Sequence, residues 1–163
     1  MITASIGPFL VLKIVFGSLL LAIVSAAATV DYRKMILPNH ITFLLAVTGI
    51  AQSTLVDVPK LWDACFGAAM AALILGLVAA LFRKFRGIEG LGLGDQKFAA
   101  AIGLWIGWRE VALMLLMASM SALLFVSFRA LKQRRLDMAA RTPFGPFLGF
   151  GAIVSWLMGV AFA

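Results

Sequence analysis

The sequence has almost no cysteine and almost no histidine. Its 163 residues include one of each, and the cysteine, Cys65, lies in an apolar run. A single cysteine excludes a disulfide within the chain and a zinc site built on paired cysteines. We therefore expect no metal and no cofactor, and we predict that Cys65 packs as a small buried apolar side chain.

Charge is also scarce. Only 13% of the residues are charged, whereas 63% are hydrophobic and the mean hydropathy is +1.06. A soluble domain of this length has too much surface for so apolar a composition. The sequence therefore predicts an all-α protein, a polytopic membrane helix bundle that forms a single domain over residues 1–163.

Acidic residues are the rarer of the two charged classes. Seven acidic residues stand against 14 basic ones, for a net charge of +7. In a soluble protein this excess would suggest binding to nucleic acid. Here most of the basic residues flank apolar runs, so anionic lipid headgroups are the expected partner and nucleic acid is not.

Six apolar stretches divide the chain. A helix needs about 20 residues to cross a bilayer core of ~30 Å. The first, third, fifth and sixth stretches are long enough, the second can borrow from its flanks, and the fourth is short. We predict about six transmembrane helices over the stretches Pro8–Val30, Ile41–Val56, Ala64–Phe82, Phe98–Trp108, Val111–Phe128 and Phe144–Ala163.

The basic residues indicate the orientation of these helices. Eleven of the 14 follow the first, third and fifth stretches, and the opposite side holds only Lys60 and Arg109. The positive-inside rule then places the N-terminus outside and the three basic segments in the cytoplasm. Those segments contain Arg33 and Lys34; Arg83, Lys84, Arg86 and Lys97; and Arg129, Lys132, Arg134, Arg135 and Arg141.

The short fourth stretch is the first indication of a functional site. If Phe98–Trp108 were a re-entrant hairpin, the last basic segment would lie outside. A full crossing requires the helix to begin several residues earlier, which draws Gly94 and Asp95 towards the membrane interface. Irregular backbone at that depth is tolerated only where it is buried in protein or lines a wet cavity.

The four tryptophans, Trp62, Trp105, Trp108 and Trp156, lie near proposed span ends or in the outer halves of spans. Such positions are typical of an aromatic belt. We therefore predict that they anchor the protein at the membrane interface.

Two of the seven carboxylates stand apart from the rest. Asp31 follows the first span and Asp95 opens the fourth, so both are expected at the cytoplasmic edge of a helix. The other five have plain interpretations. Outer loops are expected to hold Asp57, Asp63 and Glu110, an arginine-rich segment holds Asp137, and a glycine-rich inner loop holds Glu89.

Asp31 and Asp95 have a defined chemistry if they meet. Either alone is a common helix-end residue, and Asp95 suits a helix N-terminus. Close carboxylates cannot both ionise easily, so they share a proton. The ionised member can take a proton from water while its partner donates to a carbonyl oxygen. Alternating glycines at positions 90, 92 and 94 would let a substrate backbone approach Asp95 closely.

Three segments together resemble the type IV prepilin peptidase family. Asp31 precedes Leu37-Pro38-Asn39, which resembles the first aspartate motif of that family. Gly92-Leu93-Gly94-Asp95 with Lys97 resembles its GxGD signature. Pro143-Phe144-Gly145-Pro146 is similar to the segment before its last helix. GxGD alone is a weak signal, whereas three motifs in this order span almost the whole chain.

The resemblance implies a membrane-embedded aspartic endopeptidase. Such an enzyme removes the short leader of prepilins and pseudopilins at the cytoplasmic face of the bacterial inner membrane, so its partners are a prepilin substrate helix and membrane lipid. Asp31 and Asp95 match the catalytic pair. The positions matched to substrate binding or to shaping the site are Gly92, Gly94, Lys97, Pro38, Asn39, Gly145 and Pro146.

The resemblance is to the short members of the family. Longer members carry an additional domain with paired CxxC motifs that is associated with methylation, and the short form resembles peptidases of tight-adherence (Flp-type) pilus systems. Two other functions stay open. A catalytically silent scaffold of a pilus or secretion machine would need neither aspartate, and an ion-coupled carrier would place its acids near the bilayer midplane.

Overall fold

Long apolar runs produce helices, and the described part of the computed structural model has six of them. The structure describes residues 3–87, 91–133 and 143–162, and no strand occurs in those ranges. The predicted all-α fold and the number of helices are confirmed. The helices are α1 (Thr3–Lys34), α2 (Asn39–Leu55), α3 (Leu61–Arg86), α4 (Leu93–Ile106), α5 (Trp108–Gln133) and α6 (Gly145–Phe162).

Three of these helices are long and apolar enough to cross a membrane. The spans Leu10–Lys34, Leu61–Phe85 and Trp108–Lys132 have 25 residues each, or about 38 Å at 1.5 Å per residue. Helices α2, α4 and α6 have 17, 14 and 18 residues. Six crossings remain a prediction.

Helix α4 is the central helix of the bundle. It packs against α2, α3, α5 and α6, and Phe98, Ile102 and Trp105 are fully buried along it. It begins at Leu93, so the prediction that this helix starts before Phe98 is confirmed. At 14 residues, or about 21 Å, it is too short to span the bilayer core alone, and the surrounding helices enclose it.

Glycines permit a close contact between α3 and α4. A Cβ atom on Gly67 of α3 would lie 2.5 Å from the carbonyl oxygen of Gly103 in α4, and the reverse substitution would clash equally. The two backbones therefore touch where neither residue has a side chain. Chain reversal between α4 and α5 occurs at Gly107, whose φ of 74° favours glycine.

Several sequence predictions about single residues are wrong. Cys65 is exposed on α3 rather than buried. Trp105 is fully buried and is not an interfacial anchor, because the helix that carries it is enclosed by its neighbours. Asp63 and Glu110 lie in the first turns of α3 and α5 rather than in loops. The predictions for Glu89, Asp137 and Gly90 lie outside the described residues, as do those for Arg134, Arg135 and Arg141.

Candidate active site

Asp31 lies in the last turn of α1, within the helix rather than after it, and only 4% of its surface is exposed. Its Oδ2 accepts a hydrogen bond of 2.9 Å from the backbone N–H of Gly145. Gly145 is the first residue of α6. A helix N-terminus presents unsatisfied N–H groups and a positive dipole end, so it is a favourable neighbour for a carboxylate.

Gly145 leaves no room for a side chain. A Cβ atom there would lie 2.7 Å from Asp31 Oδ2 and 3.1 Å from its Cγ. The hydrogen bond therefore depends on glycine at this position. Pro146 follows in the first turn of α6 and is half-buried, at a place where the missing N–H of proline is tolerated.

Asp95 lies in the first turn of α4, outside the three candidate spans, and is half-buried. Burial, together with the negative charge of Asp31, raises the pKa of Asp95 from 3.8 to about 6, and a backbone hydrogen bond from Gly92 partly offsets this rise. The two carboxyl groups therefore lie close enough to interact electrostatically, although they come from different helices. Such a pair favours a state that holds one proton between them.

The glycines of the second motif flank this carboxylate. Gly92 is the N-cap of α4, and a Cβ atom on it would make an ordinary contact of 3.5 Å with Asp95 Oδ2. A Cβ atom on Gly94 would lie 3.3 Å from Cβ of Leu37, which is tight. Gly94 thus lets the start of α4 pack against the segment that joins α1 to α2.

Pro38 and Asn39 lie in that same packing region. Pro38 is the N-cap of α2, with φ −68°, and Asn39 is its first residue. Lys97 Nζ donates a long hydrogen bond of 3.4 Å to Asn39 Oδ1, and both side chains are exposed. Lys97 is not among the groups that shift the pKa of Asp95. It joins the first turns of α2 and α4.

Exposed apolar side chains lie close in sequence to both aspartates. Tyr32 follows Asp31 and is 66% exposed, and Leu93, two residues before Asp95, is 69% exposed. Ile36, in the segment between α1 and α2, is 67% exposed. Sequence reasoning did not single out these residues, because exposed apolar side chains are ordinary in a membrane protein.

The arrangement can perform acid–base chemistry with two carboxyl groups. Within the described residues, no group of three or more His, Cys, Asp or Glu side chains is placed to hold a metal ion. Of the predicted site residues, the structure gathers Asp31, Gly145, Asp95, Gly92 and Gly94 around the carboxyl groups. Lys97, Asn39 and Pro38 lie at the adjoining helix starts, and Pro146 follows Gly145.

Comparison with known proteins identifies the family. A model of the type IV leader peptidase family matches residues 4–127, which include both aspartates. The chain is 34% identical over 144 residues to a prepilin leader peptidase/N-methyltransferase of Aeromonas hydrophila, a match that covers 88% of this chain and 49% of the relative. Its identity to the protein of the same name from Burkholderia pseudomallei (strain 1026b) is 32% over 159 residues, covering 98% and 50%. For the one from Escherichia coli (strain K12) it is 31% over 156 residues, covering 94% and 68%.

The chain thus spans about half the length of the first two of these relatives. No solved structure matches it. The family match alone covers more than half of the chain and extends from α1 into α5. This chain belongs to the type IV leader peptidase family.

Proposed function

We propose that the protein is a membrane-embedded aspartic endopeptidase that removes the leader peptide of prepilins or pseudopilins, with Asp31 and Asp95 as its catalytic pair. The observation that carries this proposal is the electrostatic interaction between the two carboxyl groups, which come from separate helices of an apolar bundle. Two like charges are costly in such surroundings unless they share a proton. That cost argues for a function in chemistry rather than in packing.

In the proposed reaction the pair activates a water molecule. The ionised carboxylate takes a proton from the water as the oxygen attacks the scissile carbonyl carbon. The protonated carboxyl donates to the carbonyl oxygen, and a tetrahedral intermediate forms. As it collapses, the C–N bond breaks, the carboxyl that took the proton of the water gives it to the leaving amine, and the other carboxylate recovers a proton from a hydroxyl of the intermediate. The hydrogen bond from the backbone N–H of Gly145 to the carboxylate of Asp31 fixes one member of the pair in position.

Charge favours the cytoplasmic side for this reaction. Arg33 and Lys34 close α1 three residues or fewer after Asp31, and Arg83 lies near the same end of the bundle in α3. The opposite end has Lys60 and Arg109. By the positive-inside rule, the carboxyl pair then faces the cytoplasm, in the inner membrane of a bacterium.

An apolar substrate segment fits the surroundings of the pair. Tyr32, Ile36 and Leu93, which lie within five residues of one of the two aspartates, expose apolar surface, and this surface can pack against a hydrophobic helix next to the bond to be cleaved. The relatives from Aeromonas, Burkholderia and Escherichia are called prepilin leader peptidases. A prepilin helix held in the membrane has the required apolar character.

Cleavage by purified protein tests the proposal. The full chain, reconstituted in liposomes with a candidate prepilin, should shorten it by the mass of a leader, as read by mass spectrometry. Asp31→Asn and Asp95→Asn should each lower the rate at least about 100-fold, the lower range for general acid–base groups. Asp137→Asn makes the same substitution in the arginine-rich segment and serves as the matched control.

The outcome separates the peptidase from its alternatives. A scaffold or a carrier would leave the prepilin intact with the unsubstituted chain. Cleavage that persists in either aspartate variant would contradict the assignment of the catalytic pair. Equal loss in Asp137→Asn would show that removal of any carboxylate is damaging and that the pair is not special.

A further inference from the structure

A cavity of about 380 Å³ opens at the end of the bundle opposite the carboxyl pair. We call it the distal cavity. It lies between the α2–α3 connection, the α4–α5 turn and the last part of α6, with Pro59, Gly107 and Gly159 in its wall. Its volume is within the range of small-molecule sites. The proposed peptidase reaction makes no use of it.

Charged side chains of both signs line the distal cavity. Lys60 and Arg109 supply two cations, and Asp57, Asp63 and Glu110 supply three carboxylates. All five lie in described parts of the chain, and none forms an ion pair with another. Arg109 lies over the ring of Trp108 at 5.7 Å. The cavity thus presents unneutralised groups that suit a ligand with both an anionic and a cationic part.

Tryptophans form the apolar part of its wall, and their N–H groups are already used. Trp105 donates to the Leu45 carbonyl at 2.7 Å, and Trp108 donates to Asp63 Oδ1 at 3.0 Å. Trp156 donates to Gln52 Oε1 at 2.9 Å. Trp108 and Trp156 therefore offer the cavity the faces and edges of their rings rather than hydrogen-bond donors, whereas Trp105 is fully buried behind them. Such surfaces favour ammonium groups and apolar chains.

The starts of two candidate spans indicate that the distal cavity lies near the depth of lipid headgroups. Two candidate spans begin at Leu61 and Trp108, both beside its lining. A membrane boundary at these residues places the charged lining among phosphates and amines of lipids, with apolar wall continuing along α6 through Val160. A purely anionic headgroup would satisfy the two cations but leave three carboxylates facing it.

We propose that the distal cavity binds the headgroup of a zwitterionic phospholipid, a phosphate ester that carries an amine. Lys60 and Arg109 receive the phosphate, and Asp57 and Glu110 receive the amine beside the tryptophan faces. The proposal goes beyond leader cleavage and does not depend on it. It makes the outer end of the bundle a specific lipid site rather than a generally charged surface.

Intrinsic fluorescence can report binding, because three of the four tryptophans line the distal cavity. The fourth, Trp62, is 78% exposed, so Trp62→Phe confines the signal to the cavity. The probes are dihexanoyl phosphatidylethanolamine and dihexanoyl phosphatidylglycerol, titrated into the full-length protein in detergent. We expect saturable changes, with the ethanolamine lipid bound about tenfold more tightly, since one charge-assisted hydrogen bond is sufficient for that factor.

Paired substitutions separate the two halves of the headgroup. The double variant Lys60→Gln/Arg109→Gln should weaken the binding of both lipids at least about tenfold, because the loss of each cation weakens binding about fivefold. Asp57→Asn with Glu110→Gln should remove the preference for the amine. Lys132→Gln, an exposed substitution at the far end of α5, is the matched control and should change nothing.

Several results would overturn the proposal. These are equal affinity for the two lipids, an unsaturable signal, or unchanged binding after loss of both cations. A final titration uses water-soluble glycerophosphoethanolamine, which has the headgroup without the acyl chains. Binding of this probe as tight as that of the lipid would show that a soluble phosphoammonium compound, not a membrane lipid, is the source of the ligand.

Discussion

The two ends of the helix bundle differ in how their buried polar side chains are partnered. At the distal end, Gln52 is 2% exposed and uses its whole amide. Its Nε2 donates to the carbonyl oxygens of Val58 at 2.9 Å and Trp105 at 3.1 Å, and its Oε1 accepts from Trp156. This neutral network joins α2 to α4 and α6. Every group in it has a partner.

At the other end, two ionisable groups interact electrostatically. Asp31 has one backbone donor, from Gly145, and Asp95 has one from Gly92. No cation is among the causes that shift the pKa of Asp95. A satisfied neutral network stabilises packing, whereas a like-charged pair in apolar surroundings destabilises the fold unless a proton is shared. The Gln52 network at the distal end therefore stabilises the fold, whereas the carboxyl pair at the other end is suited to reaction.

Among substitutions that leave both carboxyl groups in place, the largest effect should come from Gly145→Ala. The new methyl group would lie 2.7 Å from Asp31 Oδ2, so either the start of α6 or the carboxylate must move. Displacement of a catalytic group by about 1 Å can lower the rate about 100-fold. We expect a loss of that order in leader cleavage, measured in liposomes, with much less effect on thermal unfolding.

Gly92→Ala is the matched control for this substitution. Its methyl group would lie at an ordinary distance of 3.5 Å from the carboxylate of Asp95. Cleavage should fall far less than in Gly145→Ala. If the two variants lose activity equally, close packing around Asp31 is not what positions the pair.

Gln52→Ala should lower the stability of the fold without changing the chemistry of the carboxyl pair. It leaves the Trp156 N–H and two carbonyl oxygens without their partner, and each unsatisfied buried group costs about 1–3 kcal/mol. We expect the midpoint of thermal unfolding to fall by several degrees while the pH dependence of cleavage is unchanged. Thr54→Ala, on the same helix, removes only hydrogen bonds within α2, and it should unfold nearly as the unsubstituted chain does.

The contribution of Asp95 to stability should depend on pH, unlike the contribution of the neutral Gln52 network. The pKa of Asp95 in the folded protein is raised from 3.8 to about 6, so the folded state favours the protonated form. Stability from this group is present below pH 3.8 and is lost as the pH rises through about 6. The Asp95→Asn side chain stays neutral at every pH. The thermal unfolding midpoint of this variant, relative to that of the unsubstituted chain, should therefore increase as the pH rises from 3.8 to about 6.

Gln52→Ala provides the control, because it changes no titratable group. Its effect on the unfolding midpoint should be the same at every pH. A difference between Asp95→Asn and the unsubstituted chain that does not vary with pH would contradict the raised pKa. Cleavage should fall when both carboxyl groups are protonated and again as the second one ionises, near pH 6.

The fold could be predicted from the sequence only in part. Apolar runs indicated six helices, and charge balance indicated that α4 begins before Phe98, as it does. Burial was harder to predict. Membrane helices are apolar towards lipid as well as towards protein, so Trp105 and Cys65 gave no pattern that distinguishes the enclosed position from the exposed one.

The candidate site, like the fold, could be predicted from the sequence only in part. Local motifs singled out Asp31 and Asp95 and placed them at one end of the bundle. The hydrogen bond from Gly145 to Asp31 joins residues 114 positions apart, and only the packing of α6 against α1 creates it. Neither the polar network of Gln52 nor the distal cavity has a local motif, since both arise from three or more elements that meet.

The smallest effect should come from Lys97, at the border of the carboxyl end. Its contact with Asn39 is long, at 3.4 Å, and exposed, and such contacts contribute little. Lys97→Gln should lower cleavage by less than about fivefold and should leave the loss of activity near pH 6 unchanged, because Lys97 is not a cause of the Asp95 shift. If Lys97 acts through Asn39, the losses in Lys97→Gln and Asn39→Ala should not add in the double variant. Additive losses would place Lys97 in contact with substrate or lipid instead, and a shifted pH profile would make it part of the electrostatics of the carboxyl pair.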